Sequence, residues 1–270
     1  MASSTKTEAL YQKNGSVHTH TTTILSTQPL SDLPPETQSL FKPDTENQYV
    51  ITTSKTIFHA QGGGQPADTG TIRPANASSP IFTVSAVRRS ESAILHLGTF
   101  NPSDSTFPPN TPVIQEIDKE KRRLNSRLHT AGHVLGLAIR SLSKEGVLPD
   151  DLKEVKASHY PGAAFVEFQG LISGDKKAAI QAKVDELMQQ NLEIKIHFWS
   201  KEEAKERCTV VLECVKGEEG RVRVVEVGEI GSYPCGGTHV MSMKELGRVV
   251  VRNIKRQKGI SKVSYEVQDS

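Results

Sequence analysis

The chain has 270 residues, 36% of them hydrophobic and 24% charged, a composition suited to a globular protein with room for two modest domains. No apolar run approaches the roughly 18 residues of a membrane span. The polar start Met1–Glu8 has neither the apolar core of a secretory leader nor the Arg-rich pattern of a mitochondrial one. Three cysteines (Cys208, Cys214, Cys235) are too few for a disulfide framework, so a reducing compartment, the cytoplasm, is expected. A net charge of +2, from 33 basic and 31 acidic residues, excludes an overall cationic field and leaves nucleic acid to be met by local patches.

The first hundred residues read as β-rich. Thr-laden alternation predicts strands over Val17–Leu25 and Gln48–Phe58, and further strands follow at Ile81–Val87 and Ala93–Leu97. Turn-formers at Ser31–Pro35, Gly62–Gly64 and Pro74–Pro80 separate them, the pattern of a small barrel. Asn101–Pro112, with four prolines, is the predicted linker, which sets the boundary between domains 1–108 and 109–270. Beyond it, Leu124, Leu128, Ala131, Leu135 and Ala138 mark one face of a helix within Asp118–Leu142. Strands are predicted at Val155–His159 and Ala163–Phe168 around the turn Tyr160-Pro161-Gly162, then a helix over Gly174–Gln190. Four more strands follow at Glu193–Trp199, Arg221–Val227, Arg248–Ile254 and Lys262–Val267. The alternation lacks a Gly-rich phosphate fingerprint. The predicted class is α+β, a small N-terminal β-barrel followed by an α/β sandwich, rather than a Rossmann sheet.

Three segments carry chemistry. In Arg127-Leu128-His129-Thr130-Ala131-Gly132-His133 the two histidines stand at i and i+4, a spacing that lets two imidazoles share a metal, and they lie away from the leucine stripe. Alone, such a pair is as readily a polar helix surface. Tyr233-Pro234-Cys235-Gly236-Gly237-Thr238-His239 adds a thiolate and an imidazole on a Gly-Gly turn; by itself it also suits a tight turn with a buried cysteine. The third segment, His59-Ala60-Gln61-Gly62-Gly63-Gly64-Gln65-Pro66-Ala67-Asp68-Thr69-Gly70, is either a flexible loop tip or a loop presenting backbone and the Gln65 amide to a ligand.

In this order, a GGGQ-x-x-D-x-G loop, HTAGH and CGGTH resemble the editing region of alanyl-tRNA synthetases and, more closely, the AlaX-type alanyl-tRNA editing proteins, from about Tyr11 to the end of the chain. The resemblance implies one Zn2+ held by His129, His133, Cys235 and His239. It implies catalytic contributions from Gln65, Gly237 and Thr238, and a substrate pocket that includes Gly63, Gly64, Thr130 and Gly236. Without room for an aminoacylation core, the expectation is a free-standing protein that hydrolyses mischarged tRNA(Ala), chiefly Ser-tRNA(Ala) and also Gly-tRNA(Ala), contacting the acceptor stem and 3′ end, with no membrane and no obligate protein partner. The chain departs from the family pattern at Phe58-His59-Ala60-Gln61 and over Leu148–His159, which reads as insertion or drift.

HTAGH has no Glu after its first histidine, unlike HExxH proteases, and no GxSxG elbow occurs. Backbone N–H groups at Gly236, Gly237 and Thr238 are the candidate oxyanion contacts. Lys119, Lys121, Arg122, Arg123 and Arg127, and separately Arg252, Lys255, Arg256 and Lys258, form two basic runs suited to phosphates or to a solvated face. His18 and His20 read as solvent-facing, and His197, beside Trp199, as a conceivable ligand with Cys208 or Cys214. His159 is an outside candidate for substrate contact. Competing readings are a zinc-stabilised tRNA-binding module without activity, a generic zinc hydrolase, and editing of Ser-tRNA(Thr).

Overall fold

The computed structural model describes residues 6–42, 47–209 and 220–269; Cys214 and the Val210-Val211-Leu212 run lie outside them. Contacts divide the chain into two units, Met1–Gly62 with Pro66–Arg122, and Gly63–Gln65 with Arg123–Ser270.

Six strands of the first unit build its barrel: β1 (Thr19–Pro29), β2 (Tyr49–Thr53), β3 (Gly70–Pro74), β4 (Ile81–Ser90), β5 (Ala93–Asn101) and β6 (Pro112–Ile117). They close into an antiparallel barrel in the order β1-β2-β5-β4-β3-β6. Inward residues such as Ile24, Ile51, Ile72, Phe82 and Val113 fill it, and register shifts at Ile24/Ser26 and Val84/Ala86 supply the extra twist that closure demands. Pro29, Pro74 and Pro112 sit at strand ends, where a missing N–H costs no ladder bond.

The barrel includes two strands absent from the sequence reading, β3 and β6. Gln115 on β6 is buried and spends its side chain on the Ile57 N–H (3.0 Å) and the Thr53 hydroxyl (3.1 Å), so polar core residues blur the alternation. Asn101–Pro112 is not a linker but the crossover from β5 to β6. Phe107 is buried against the Phe100 ring, 5.0 Å away, and the Thr27 hydroxyl donates to its carbonyl. Because β6 closes the barrel, the division falls at Arg122/Arg123 rather than at 108/109.

In the second unit, α1 (Lys119–Lys144) begins at Asp118, whose Oδ1 caps the Lys121 N–H at 3.1 Å. It is followed by β7 (Lys153–Ser158), β8 (Phe165–Gln169), α2 (Lys177–Gln189), β9 (Ile194–Trp199), α3 (Lys201–Arg207), β10 (Val222–Val227), β11 (Gly231–Pro234), β12 (Arg248–Gln257) and β13 (Ile260–Gln268). The strands form two antiparallel sheets, β12-β13-β8-β7 and β9-β10-β11. One core joins both sheets to the helices through Leu135, Ile139, Val166, Val184, Val225 and Val249. The architecture is α+β with an N-terminal barrel, as the strand and helix patterns predict. Every residue of α1 from Asn125 to Ile139 is buried, so its polar face is enclosed as well as its leucine stripe. Among the described residues no helix is long and apolar enough to cross a membrane.

Candidate functional site

His129 and His133 leave α1 one turn apart, ring centroids 5.1 Å from each other. Cys235 and His239 come from the loop after β11, fixed where the Cys235 N–H donates to the Arg223 carbonyl (3.0 Å) and the Arg223 guanidinium donates to the Cys235 carbonyl. The four side chains meet with one ligand atom from each inside 4.8 Å. Cys235 Sγ lies 3.2 Å from His129 Nε2 and 3.7 Å from His239 Nε2.

This cluster could hold one metal ion, and its own chemistry fits that use. His133 Nε2 and His239 Nδ1 are buried without a hydrogen-bond partner, a costly arrangement in a protein interior unless a ligand satisfies the site. Burial holds His133 down to about 3 and His239 well below the ordinary imidazole value, so both rings are neutral with lone pairs to give. Burial pushes the Cys235 thiol up; a coordinated cation reverses that by deprotonating it. A thiolate with three imidazoles is a donor set compatible with zinc.

Gln65 governs His129. Its Oε1 takes the His129 Nδ1 proton (2.7 Å) and the Thr238 N–H (3.0 Å), while its Nε2 donates to the Thr238 hydroxyl (2.8 Å). His129 is thereby held as the Nδ1–H tautomer with Nε2 turned to Cys235, as outer-shell partners of metal-bound histidines do. Ser126 Oγ, 2.7 Å from the Thr238 hydroxyl, continues the network; Thr130 donates to the Ser126 carbonyl (2.9 Å) and accepts the Val240 N–H (3.3 Å). Gly237 packs against this assembly: a Cβ there would stand 2.3 Å from His129 Cε1 and 2.7 Å from Gln65 Oε1.

A cleft of about 670 Å³ opens beside the cluster, and Gly63, Gly64, His129, His133, Cys235 and Gly236 are among its walls. Gln65, Thr130, Gly237 and Thr238 lie behind the ligands rather than on that wall, and Thr238 and Gly237 commit their N–H groups to Gln65 and to Cys235 Sγ (3.4 Å). The structure thus separates the three motifs into a cluster of possible ligands, a supporting layer and an open loop.

Two further cleft residues come from the stretch that reads as insertion or drift. The His159 ring stacks on His129 with centroids 4.1 Å apart, its Nδ1 donates to the Tyr265 hydroxyl (2.6 Å), and that hydroxyl donates to the Leu128 carbonyl (2.9 Å). Its N–H binds the Gly64 carbonyl (2.8 Å), and a Cβ at Gly132 would fall 2.5 Å from its ring. The glycines of GGGQ and HTAGH therefore seat one histidine. Glu154 on β7 also lines the cleft; burial raises its carboxyl to about 7, against a hydrogen bond to Tyr233 that lowers it. The sequence offers His159 only as an outside candidate for substrate contact and does not mark Glu154; the fold brings both here, Glu154 on β7 and His159 just after it, held by the Gly64 carbonyl and Tyr265.

The basic runs fare differently. Arg122 is buried in the barrel unit, bound to Asp68, the Gly15 carbonyl (2.7 Å) and the Ile57 carbonyl (2.6 Å). Arg127 is buried too, on the Leu246 (3.0 Å) and Gln268 (2.9 Å) carbonyls. Neither is available to phosphate. Lys119, Lys121 and Arg123 remain exposed, as do Arg252, Lys255, Arg256 and Lys258. His197 stacks on Trp199 and pairs with Glu226, and Cys208 packs beside Trp199, so neither joins a metal site.

Residues 222–264, which include Cys235 and His239, match the family described as threonyl and alanyl tRNA synthetase second additional domain. The chain is 30% identical over 201 residues to an alanine–tRNA ligase of Parafrankia sp., covering 74% of this chain and 22% of that protein. A Thermotoga maritima alanine–tRNA ligase is likewise 30% identical, over 206 residues, 75% of this chain and 23% of the ligase. Alanyl-tRNA editing protein AlaX-L of Pyrococcus horikoshii is 25% identical over 222 residues, 82% of this chain and 52% of that protein. Over most of its length the chain is thus similar to an alanyl-tRNA editing protein and to part of alanine–tRNA ligases. It spans under a quarter of the length of the two ligases and about half that of AlaX-L. The matched region supplies two of the four possible ligands, and α1 supplies the other two.

Proposed function

We propose that the chain hydrolyses the ester between a wrong amino acid and the 3′-terminal ribose of tRNA(Ala), chiefly seryl and also glycyl, using one Zn2+ bound by His129, His133, Cys235 and His239. The observation that carries this reading is the four-donor cluster opening onto a cleft walled by the GGGQ loop, in a chain similar to AlaX-L. When bound, the zinc would supply Lewis-acid charge at the reacting carbonyl.

The chain's own residues do the rest. Gln65 and Thr238 hold His129 in one tautomer and one orientation. Gly63, Gly64 and Gly236 keep side chains off the cleft wall, so an aminoacylated 3′ end can approach backbone closely. An aminoacyl ester is already activated, so positioning water matters more than a strong nucleophile. The water oxygen bonds to the acyl carbon, the bond to the ribose oxygen breaks, and that oxygen leaves as a hydroxyl. The exposed Lys119, Lys121 and Arg123 at the start of α1 are the acceptor-stem contacts of this reading.

The matched family includes threonyl as well as alanyl synthetase domains, which favours Ser-tRNA(Thr) as the second substrate to try. The deciding experiment measures deacylation of Ser-tRNA(Ala), Gly-tRNA(Ala), Ala-tRNA(Ala) and Ser-tRNA(Thr), with zinc quantified in the same preparation. Selective loss of Ser-tRNA(Ala), abolished by Cys235→Ala with His239→Ala, is expected. Preference for Ser-tRNA(Thr) transfers the activity to the threonyl type, and bound zinc without any deacylation leaves a tRNA-binding module.

A further inference from the structure

Glu154 is the one carboxyl among the described residues on the wall of the metal cleft. It lines the same cleft as Tyr233, Cys235, His129 and His133, beside the cluster. Its hydrogen-bond partner is the Tyr233 hydroxyl, and Gly136 of α1 leaves the space for both: a Cβ there would lie 2.5 Å from the Tyr233 oxygen and 2.8 Å from Glu154 Oε2. Lys156 shares the cleft wall, yet among the described residues no lysine or arginine forms an ion pair with Glu154. Half-buried on the cleft wall without a paired cation, the anionic form is disfavoured, and this partial burial lifts the carboxyl to about 7. A cationic ligand group would offset that cost. Lys156 is exposed, and the remaining cleft groups beside the cluster are imidazoles, a phenol, a thiol and backbone, so no group of the wall is paired with Glu154 as its cation.

An aminoacyl ester carries a positive charge of its own two bonds from the reacting carbonyl carbon, on the α-amino nitrogen. Resting on the activity proposed above, we infer that Glu154 is a specificity-determining residue that binds the substrate's α-ammonium group, so that the site accepts aminoacyl esters with a free amine and rejects N-acylated ones. Tyr233 orients the carboxylate, and the ammonium fixes which way the acyl carbonyl faces the metal ligands.

The test uses seryl-adenosine whose 3′ ester is replaced by an amide, so that it is not consumed, and its N-acetyl form. Binding of each to the full chain with its metal is measured by calorimetry. The amine form is expected to bind at least tenfold tighter than the acetylated one. Glu154→Gln should erase that difference with zinc content and Tm retained, and Glu154→Asp should restore part of it. Equal affinity for the two analogues in the unaltered protein overturns the inference without recourse to a variant. So does an unchanged preference in Glu154→Gln, or failure of the unaltered protein to bind the amine form. Deacylation of Ser-tRNA(Ala) is followed alongside. Analogue discrimination without deacylation sinks the proposed activity and leaves the ammonium site standing; deacylation with equal analogue affinity does the reverse.

Discussion

In the barrel, the buried His96 donates from Nδ1 to the Ile51 carbonyl (2.9 Å) and accepts at Nε2 from the Thr56 hydroxyl (2.7 Å), so both ring nitrogens are satisfied by the protein itself. In the second unit His133 and His239 are also buried, yet each keeps a ring nitrogen with no partner. The barrel treats its charged groups the same way. Arg122 and Asp68 are buried together, and Asp68 also accepts the His59 N–H (2.6 Å). These buried groups of the first unit close on one another and stabilise a fold, whereas His133 and His239 in the second each leave a ring nitrogen open to a ligand. Burial alone does not distinguish these histidines; an open ring nitrogen set among three other donor side chains does.

The comparison is broken most severely at Gly237. The motif alone suggests that a bulkier residue there spoils oxyanion contacts and leaves zinc in place. The structure says otherwise, because a Cβ would collide with the His129 ring and Gln65. Gly237→Ala is expected to reduce metal affinity by on the order of 100-fold and to abolish deacylation. Metal analysis of the purified variant checks this; full zinc occupancy would show that His129 is not held as described. In the barrel, the counterpart is Asp68→Asn, which strands Arg122 in the interior at a cost of about 3–5 kcal/mol. Denaturant midpoints should record that loss, with zinc per folded molecule unchanged.

Acid sharpens the contrast further. Burial lowers His96 to about 4, opposed by its bond to the Ile51 carbonyl, against 6.5 for the ordinary imidazole. Between pH 6.5 and 4 the unfolded chain binds the proton and the folded one does not, so stability rises with pH across that window and falls on acidification. The full effect is roughly 3 kcal/mol. His96→Gln should remove up to about 1.4 kcal/mol per pH unit from the slope there. An unchanged slope in urea titrations at pH 6.5, 5.5 and 4.5 would mean that His96 is not buried neutral.

Much of this was legible in the residues. Period-two alternation located β1, β4 and β5, the leucine stripe located α1, and the HxxxH and CxxxH spacings named the four side chains that converge. What stayed hidden was hidden for physical reasons. Strand β6 carries its buried Gln115 inward, and β3 and β11 are too short to show a period. Proline-rich Asn101–Pro112 looks like a linker because its one anchor, Phe107, is a single apolar residue. The supporting layer and the cleft wall depend on tertiary register: Gln65 meets residues 173 positions away in Thr238, and His159 is paired by Tyr265, 106 positions on. No local pattern encodes such partners.

His159 stands between the two kinds of histidine and provides the smallest effect. One nitrogen is tied to Tyr265 as His96 is tied to Ile51, while the ring lies against His129 and on the cleft wall. Tyr265→Phe leaves the His159 Nδ1–H and the Leu128 carbonyl without that hydroxyl, at about 1–3 kcal/mol of stability. The ring loses its tether but not its stacking partner, and none of the four ligands touches the deleted atom. Deacylation should therefore slow by about tenfold or less, in kcat rather than KM, with zinc content unchanged. A loss of zinc in Tyr265→Phe would place His159 among the groups that hold His129, and an unaltered kcat would make its tether purely structural, like that of His96.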